Sequence, residues 1–192
     1  MKFQIIAMAM LFTFVFYSCK NEAKEGVVKS DTTQEQTAVE HKGQAAVTDD
    51  VSNPNALQVA KSLPDFSTLV AAIGAAGVED AVVNAGPLTI FAPLNSGFDK
   101  LPEGTVETLV KPENKAKLAF ILTNHVAPAN YPVKQLKKEA AKERKLYMAS
   151  GKYLVVEEKA GEIFVGGTKV LKSVKVSNGW IHVIDDVLVP AE

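Results

Sequence analysis

The residues of this chain that could perform chemistry are few and widely spaced. The three histidines are His41, His125 and His182, and the single cysteine is Cys19. No histidine has a second histidine or a cysteine at the spacing of a metal site, so we expect neither a metal ion nor a cofactor. A lone cysteine also excludes an intramolecular disulfide.

The closest approach to a catalytic arrangement is His182 followed by Asp185 and Asp186. A triad would also need a nucleophile such as Ser96 or Ser177, and nothing in the sequence brings either one close. Adjacent strand residues point to opposite faces, so the two aspartates do not form an acid–base pair, and we expect Asp185 to make a local hydrogen bond at a turn or bulge. Motifs of the common nucleotide-binding and hydrolytic enzymes do not occur. The sequence therefore predicts a non-catalytic protein with a structural His182.

Length and composition limit the remaining classes. The chain has 192 residues, which suits one domain with additional segments. Its 21 Lys and Arg residues against 22 Asp and Glu residues give a net charge of −1, which disfavours a nucleic-acid partner. With 47% hydrophobic residues, most of the chain can form a packed core.

The first residues have the pattern of an export signal. Lys2 precedes an apolar run from Phe3 to Tyr17, which is too short to span a membrane comfortably. The run ends at Cys19, and the sequence Phe16 to Cys19 resembles the lipobox of bacterial lipoproteins, particularly those of the Bacteroidota. That resemblance implies a signal peptide at 1–18 and a lipid on Cys19, and the alternative is a plain signal peptide that ends at a cysteine.

Residues 19–55 are predicted to form a flexible polar tether. From Lys20 to Asn55 there is no aromatic residue and no Leu, Ile or Met. Such a segment buries too little apolar surface to offset the entropy of ordering it. The charged residues directly after Cys19 loosely resemble an outer-membrane export signal, so we expect a protein secreted across the inner membrane and lipid-anchored at the outer membrane or cell surface.

Residues 56–192 are predicted to form one α+β domain. The spacing of Phe66, Leu69, Val70 and Ile73 predicts an amphipathic helix that ends at Gly77. Helical patterns dominate the first half, whereas short β-branched runs dominate the second half. Within the first half, Leu88 to Ala92 are predicted to form a short buried strand, and Asn95 is expected to cap the short helix that follows it. The predicted runs are Tyr153 to Val156, Ile163 to Val165, Val170 to Val176, Trp180 to Ile184, and Val187 to Val189. We expect Asn178 and Gly179 to form a type I′ hairpin turn with positive φ at both residues.

A basic segment from Val133 to Met148 separates these two halves. It carries six basic and two acidic residues, a pattern typical of a solvated helix. Lys137, Lys138 and Lys142 are its candidate binding residues, because clustered lysines attract anionic groups.

Three stretches resemble the fasciclin family. Thr89 to Phe98 reads TIFAPLNSGF and is similar to the family block TVFAPTNxAF, while Ser177 to Pro190 is similar to the block NGVIHVIDxVLLP. Between them, Asn124 to Pro128 is similar to the segment YHVVP. The resemblance implies a wedge-shaped, seven-stranded β-sandwich with helices along one edge, in which the first and last of these stretches are neighbouring central elements that share one core. The residues that carry the motif are Phe91, Pro93, Asn95, Phe98, His125, Asn178, Gly179, His182 and Asp185.

The resemblance also implies adhesion or ligand binding outside the cell, without catalysis. Asn124 stands where the family usually has the tyrosine linked with receptor binding. The resemblance implies an extended chain here, in which Asn124 and His125 point to opposite faces, so we expect Asn124 to be exposed and His125 to pack inward with a hydrogen bond to the backbone. The leading prediction is an adhesion or protein-interaction module. The alternative is a binding protein for an envelope glycan or small ligand. A flat exposed apolar patch favours the first and a concave pocket favours the second.

Overall fold

The computed structural model describes residues 53–84 and 86–190. The predicted signal peptide, the Cys19 lipidation site and nearly all of the predicted tether lie outside these ranges. Within them, no helix is long and apolar enough to cross a membrane. The described structure begins two residues before Asn55, whose side chain caps the first helix by accepting from the Gln58 backbone N–H at 2.9 Å.

Seven short helices occur in the described ranges. They are α1 (Ala56–Ser62), α2 (Ser67–Ala76), α3 (Glu79–Val83), α4 (Asn95–Asp99), α5 (Thr105–Leu109), α6 (Lys115–Thr123) and α7 (Val133–Ala141). The predicted amphipathic helix is present as α2, and it ends as expected at Gly77, which adopts a left-handed conformation with φ 65°.

Seven strands pair in the order β2-β1-β7-β6-β5-β4-β3. They are β1 (Leu88–Pro93), β2 (Val126–Ala127), β3 (Lys145–Tyr147), β4 (Tyr153–Lys159), β5 (Glu162–Val165), β6 (Thr168–Val176) and β7 (Gly179–Ile184). All pairs are antiparallel except β1 with β7, which run parallel. The α+β class is therefore confirmed, with a seven-stranded mixed sheet.

The two strands that carry the family-like blocks lie side by side at the centre. Their register joins Leu88 with Gly179 at one end and Pro93 with Ile184 at the other. We call this pairing the β1–β7 seam. All six residues of β1 are buried, because both faces of the strand are covered.

The faces of the seam belong to two different apolar layers. Ile90 and Ile181 point toward the helices and join the core formed with α1, α2 and α6, which we call the helix-side core. Phe91 and Ile184 point the other way and join a second core. That second core also contains Leu146, Val156, Ile163 and Val165 from β3, β4 and β5. The sheet therefore folds over, so that β3, β4 and β5 pack against β1 and β7 across an apolar interior.

Several sequence-based expectations are corrected by the structure. Val187 to Val189 do not form a strand. The basic segment is not one helix: α7 stops at Ala141, Glu143 takes φ 53°, and the Arg144 N–H donates to the Glu139 carbonyl at 3.0 Å. The helix therefore ends with one residue in the left-handed conformation, after which the chain continues into β3.

The β6–β7 hairpin also differs from its prediction. Val176 pairs with Gly179, so the two loop residues are Ser177 and Asn178. Gly179 has φ 145°, but Asn178 does not have positive φ, and the predicted type I′ turn at Asn178 and Gly179 is wrong. The Asn178 side chain is instead used for contacts with distant segments, described below.

Candidate functional site

Asn124 was the leading candidate for a surface contact, and that prediction is wrong. Only 1% of its surface is exposed. Its side-chain amide donates to the Leu188 carbonyl at 3.1 Å, and its oxygen accepts from the Ser150 hydroxyl at 2.9 Å. Asn124 ends α6 rather than entering an extended segment, so it faces the interior with its neighbour His125. It ties the C-terminal segment to the β3–β4 turn.

His125 packs inward and hydrogen-bonds the backbone, as its sequence position predicts. Nδ1 lies 2.8 Å from the Ile121 carbonyl and must donate to it, and Nε2 accepts from the Leu188 N–H at 2.9 Å. Both ring nitrogens are therefore occupied in the neutral tautomer. Burial lowers the pKa of His125 to about 4, so the ring stays neutral at physiological pH.

His182 is held in a comparable way at the β1–β7 seam. Nε2 lies 2.7 Å from the Tyr131 carbonyl, and Nδ1 lies 2.7 Å from the Ser173 hydroxyl. The carbonyl can only accept, so Nε2 carries the proton and Ser173 donates to Nδ1. The rings of Phe91 and Trp180 stack on the imidazole at centroid distances of 5.5 and 6.4 Å. Burial lowers the pKa of His182.

This contact does not form the triad that the sequence left open. The residue beside His182 is Ser173, rather than Ser96 or Ser177, and the imidazole itself is fully buried between two aromatic rings. No carboxylate orients it, because the third partner is a backbone carbonyl. The arrangement links β6 and β7 to the segment that leads into α7. In the described ranges, no group of three His, Cys, Asp or Glu side chains could hold a metal ion.

The side chains of Asn95 and Asn178 form hydrogen bonds with segments that are distant in the sequence, and we call these contacts the side-chain braces. Asn95 was expected to cap its own helix, but it is the first residue of α4 and no side chain caps that helix. Its oxygen instead accepts from the Thr68 N–H of α2 at 3.0 Å. The Asn178 oxygen accepts from the Ala56 N–H of α1 at 3.1 Å, and its amide donates to the Val82 carbonyl of α3 at 2.9 Å.

The remaining motif residues serve close packing and an ion pair. A Cβ on Gly179 would lie 1.8 Å from the Leu88 carbonyl oxygen, so only glycine fits there. Pro93 lies at the end of β1, and Phe98 packs into the helix-side core. Asp185 does not make the predicted local hydrogen bond, because its carboxylate pairs with Lys100 at 3.1 Å.

The three candidate lysines of α7 have different surroundings. Lys137 pairs with Glu158 at 2.9 Å, which offsets its charge. Lys138 and Lys142 are exposed and make no ion pair with a residue of the described ranges. Of the three candidates, Lys138 in α7 and Lys142 directly after it therefore carry charges that no carboxylate of the described ranges offsets.

Sequence reasoning missed an exposed apolar surface on the outer strands. Tyr147 of β3 pairs with Tyr153 of β4, and their ring centroids are 5.4 Å apart. Tyr153 and Val155 alternate along β4 and so share a face. The exposed fractions are 48% for Tyr147, 63% for Tyr153 and 47% for Val155. We call these three residues the outer-strand patch. The signal in the sequence was a strand that is apolar at four consecutive positions, 153–156, although only the face with Leu154 and Val156 packs on the second core.

A second missed feature is a cleft of about 390 Å³ between α5 and α6. Its remaining walls come from the end of α4 and the C-terminal segment, and we call it the α5–α6 cleft. Most of the residues that line it are apolar, including Leu101, Leu109, Ile121 and Val187. No sequence pattern marks it, because its walls come from four segments that are far apart in the chain.

Comparison with known proteins identifies the family. A family model described as the Fasciclin domain matches residues 64–190, and this chain belongs to that family. The family is associated with adhesion and with extracellular or secreted proteins, and its members are generally non-enzymatic.

The relatives come from several kinds of organism. Protein sll1483 of Synechocystis is 42% identical over 135 residues, which cover 70% of this chain and 72% of the relative. Immunogenic protein MPB70 of Mycobacterium bovis is 30% identical, covering 81% of this chain and 79% of the relative. Human periostin is 28% identical over 66% of this chain, which spans only 15% of periostin.

Among solved structures, the chain is similar to a FAS1 domain pair from the insect cell adhesion molecule Fasciclin I. The TM-score is 0.64 and the sequence identity 25%, over 73% of this chain and 52% of that structure. This chain therefore spans about half of the domain pair. The similarity confirms the fasciclin fold.

Proposed function

We propose that this protein is a lipid-anchored interaction module outside the cytoplasm, and that it binds another protein through the outer-strand patch. The observation that carries the proposal is the exposure of two adjacent tyrosines and a valine on one strand face. Tyrosine is enriched at protein interfaces because it offers a large, rigid apolar area and a polar hydroxyl. The Fasciclin domain family, with its association with adhesion, supports the same class of function.

The surroundings of the patch favour a protein partner that contacts the face of the sheet. Lys145 faces Val155 across the β3–β4 pair, and Glu157 and Lys159 follow along β4. Charges of both signs around an apolar centre are typical of a protein interface rim. Strand β3 stands at the end of the strand order, but it has only three residues, and Lys145 starts it. Short edge strands with lysine resist added strands, so side chains rather than backbone would carry the contact.

The experiment that tests this proposal combines crosslinking with matched variants. A photoreactive phenylalanine analogue at position 153 of the full chain, in cells that produce it, should capture one partner protein for identification. Tyr147→Ser with Tyr153→Ser should then weaken binding of that partner by at least tenfold. Phe120→Ser is the control, since Phe120 is an exposed aromatic residue (39%) on α6, away from the patch. Equal binding by the double variant would overturn the proposal.

The anchor is part of the same proposal and is tested separately. The sole cysteine at the end of an apolar leader supports a mature chain that begins at Cys19 and carries lipid. Two or more acyl chains hold a protein on a membrane far more firmly than one. The protein should partition into the detergent phase, whereas Cys19→Ser should move to the aqueous phase. Detergent partition by Cys19→Ser would exclude lipidation at that residue.

A glycan-binding function is the second candidate, and the exposed ammonium groups of Lys138 and Lys142 favour it. An acidic polysaccharide such as alginate is the suitable probe, because the attraction is electrostatic and weakens with salt. Lys138→Gln with Lys142→Gln should then reduce retention on immobilised alginate. The control is Lys137→Gln, which changes a lysine already paired with Glu158. Retention that does not change with the double variant would exclude this candidate.

A further inference from the structure

We infer that the α5–α6 cleft is a binding site for an uncharged amphiphile with a single hydrocarbon chain. The chain would lie in the cleft and its small polar end at the mouth. This inference does not depend on the outer-strand patch, which lies on β3 and β4 and not beside α5 or α6.

The size of the cleft suits a small molecule. Its volume of about 390 Å³ lies within the range of about 300 to 1,000 Å³ found for ligand pockets. Leu118, Ile121 and Leu122 of α6 form its floor and are themselves buried. A floor held by the core is pre-formed, so a ligand does not have to order it on binding.

The polar side chains of His125, Thr108 and Asn114, which border the cleft, already have partners. Both nitrogens of His125 are occupied by backbone groups. The Thr108 hydroxyl donates to the Gly104 carbonyl at 2.7 Å, and the Asn114 amide donates to the Thr108 carbonyl at 2.7 Å. In the described ranges, no buried side-chain polar atom lacks a hydrogen bond. The interior therefore recognises its ligand by shape and apolar contact, which favours a hydrocarbon over a sugar.

The mouth of the cleft sets the charge of the ligand. Glu103 and Lys117 both border the cleft, and both are exposed. One carboxylate and one ammonium give no net preference for an anion or a cation. A neutral polar end, such as a hydroxyl group, therefore fits the mouth better than a charged one.

Helix α5 provides a wall that can adjust to the ligand. It contains no buried residue, and no side chain caps its first turn. Val106 and Leu109 are its only side chains packed against the helix-side core, and both are half-buried. Few buried contacts mean that opening this wall requires little free energy.

Methyl NMR of the full chain titrated with decan-1-ol tests the inference. We expect saturable shifts in the methyl signals of Leu109, Leu118, Ile121 and Val187. Val106→Phe fills the cleft from its half-exposed wall and should weaken binding by about tenfold or more, since lost burial of two methylenes alone corresponds to about that factor. Leu63→Phe is the matched control, because Leu63 is exposed and does not line the cleft, and it should leave the affinity within about twofold.

The outcomes separate cleft binding from other contacts. Shifts confined to the methyl groups of Val155 and Leu171, which are exposed on the strands and do not line the cleft, would show a surface contact and overturn the inference. Equal affinity of Val106→Phe, with a melting temperature that shows it is folded, would overturn it too. Maltose serves as the sugar probe, and shifts of the cleft methyl groups with maltose at the same concentration would exclude a hydrocarbon-selective site.

Discussion

The β1–β7 seam and the α5–α6 cleft are built in opposite ways. The seam carries four of the nine motif residues, and it places Phe91 and His182 in a fully buried ring contact and Gly179 against the Leu88 carbonyl. The cleft carries few motif residues, and its wall α5 has no buried residue. The difference teaches that the recognisable sequence blocks of this chain specify its architecture. Its candidate binding surfaces lie mostly outside those blocks.

The largest expected effect is at the seam. Gly179→Ala places a methyl group against the Leu88 carbonyl at a φ of 145°, and we expect it to destabilise the domain by about 4 kcal/mol or more, or to prevent folding. Gly161→Ala is the control, because Gly161 also has positive φ (83°) but open space around it. That change should cost about 1 to 2 kcal/mol. Urea denaturation measures both, and similar losses would show that the seam is not closely packed.

The next effect is a pH dependence that arises from His125. Its pKa is about 4 in the folded protein, against about 6.5 in the unfolded chain. Above pH 6.5 the imidazole of His125 is neutral in both the folded and the unfolded chain. Between pH 6.5 and 4 only the unfolded chain binds the proton. Stability should therefore fall as the pH falls through this window, by about 3 kcal/mol in total. Urea melts from pH 7 to 4 should show this slope, and His125→Gln should flatten it. An equal slope in the variant would assign the effect to other groups.

A smaller effect is expected from the side-chain braces. Asn178→Ala leaves the Ala56 N–H and the Val82 carbonyl without their partner, which should cost about 2 kcal/mol. The control is Asn130→Ala, since Asn130 is exposed. Thermal melts should show a clear decrease for the first variant and little change for the second. An unchanged melting temperature for Asn178→Ala would mean that this brace adds nothing to the stability of the seam.

The smallest effect on stability is expected on the proposed binding surfaces. Tyr153→Ser on the outer strands and Val106→Ala on α5 should each change the free energy of unfolding by about 0.5 kcal/mol or less, because these side chains are exposed or half-buried. Denaturant titration checks this expectation. A loss of unfolding free energy as large as that expected for Asn178→Ala would show that these side chains stabilise the fold as well as form a binding surface.

The elements that the sequence predicted well are those with strong local signals. Helix α2 has apolar residues at helical spacing and Gly77 at its end, and β1 has a continuous apolar run. Their neighbours in space were available only through the family-like blocks, which implied that β1 and β7 share one core. The parallel register of that pair is a tertiary property that no local pattern contains.

The site residues show where local reasoning fails. Asn124 was placed outside because an extended segment would point it away from His125, but α6 continues as far as Asn124 and both side chains face inward. Asn95 and Asn178 have residue types typical of caps and turns, and they do cap helices, but those helices are distant in sequence. Whether a polar side chain serves its own element or another depends on packing that forms only in the complete fold.

The parallel seam also determines when this protein can fold. Thr89, near the start of the domain, pairs with Trp180, near its end, and of the strands between them β3, β4 and β5 attach to β7 through β6. Contacts between such distant positions require closing a long loop, which slows folding. The central sheet cannot be completed until residue 184 has left the ribosome. On the export route that we propose, the chain would therefore cross the membrane before its central sheet forms.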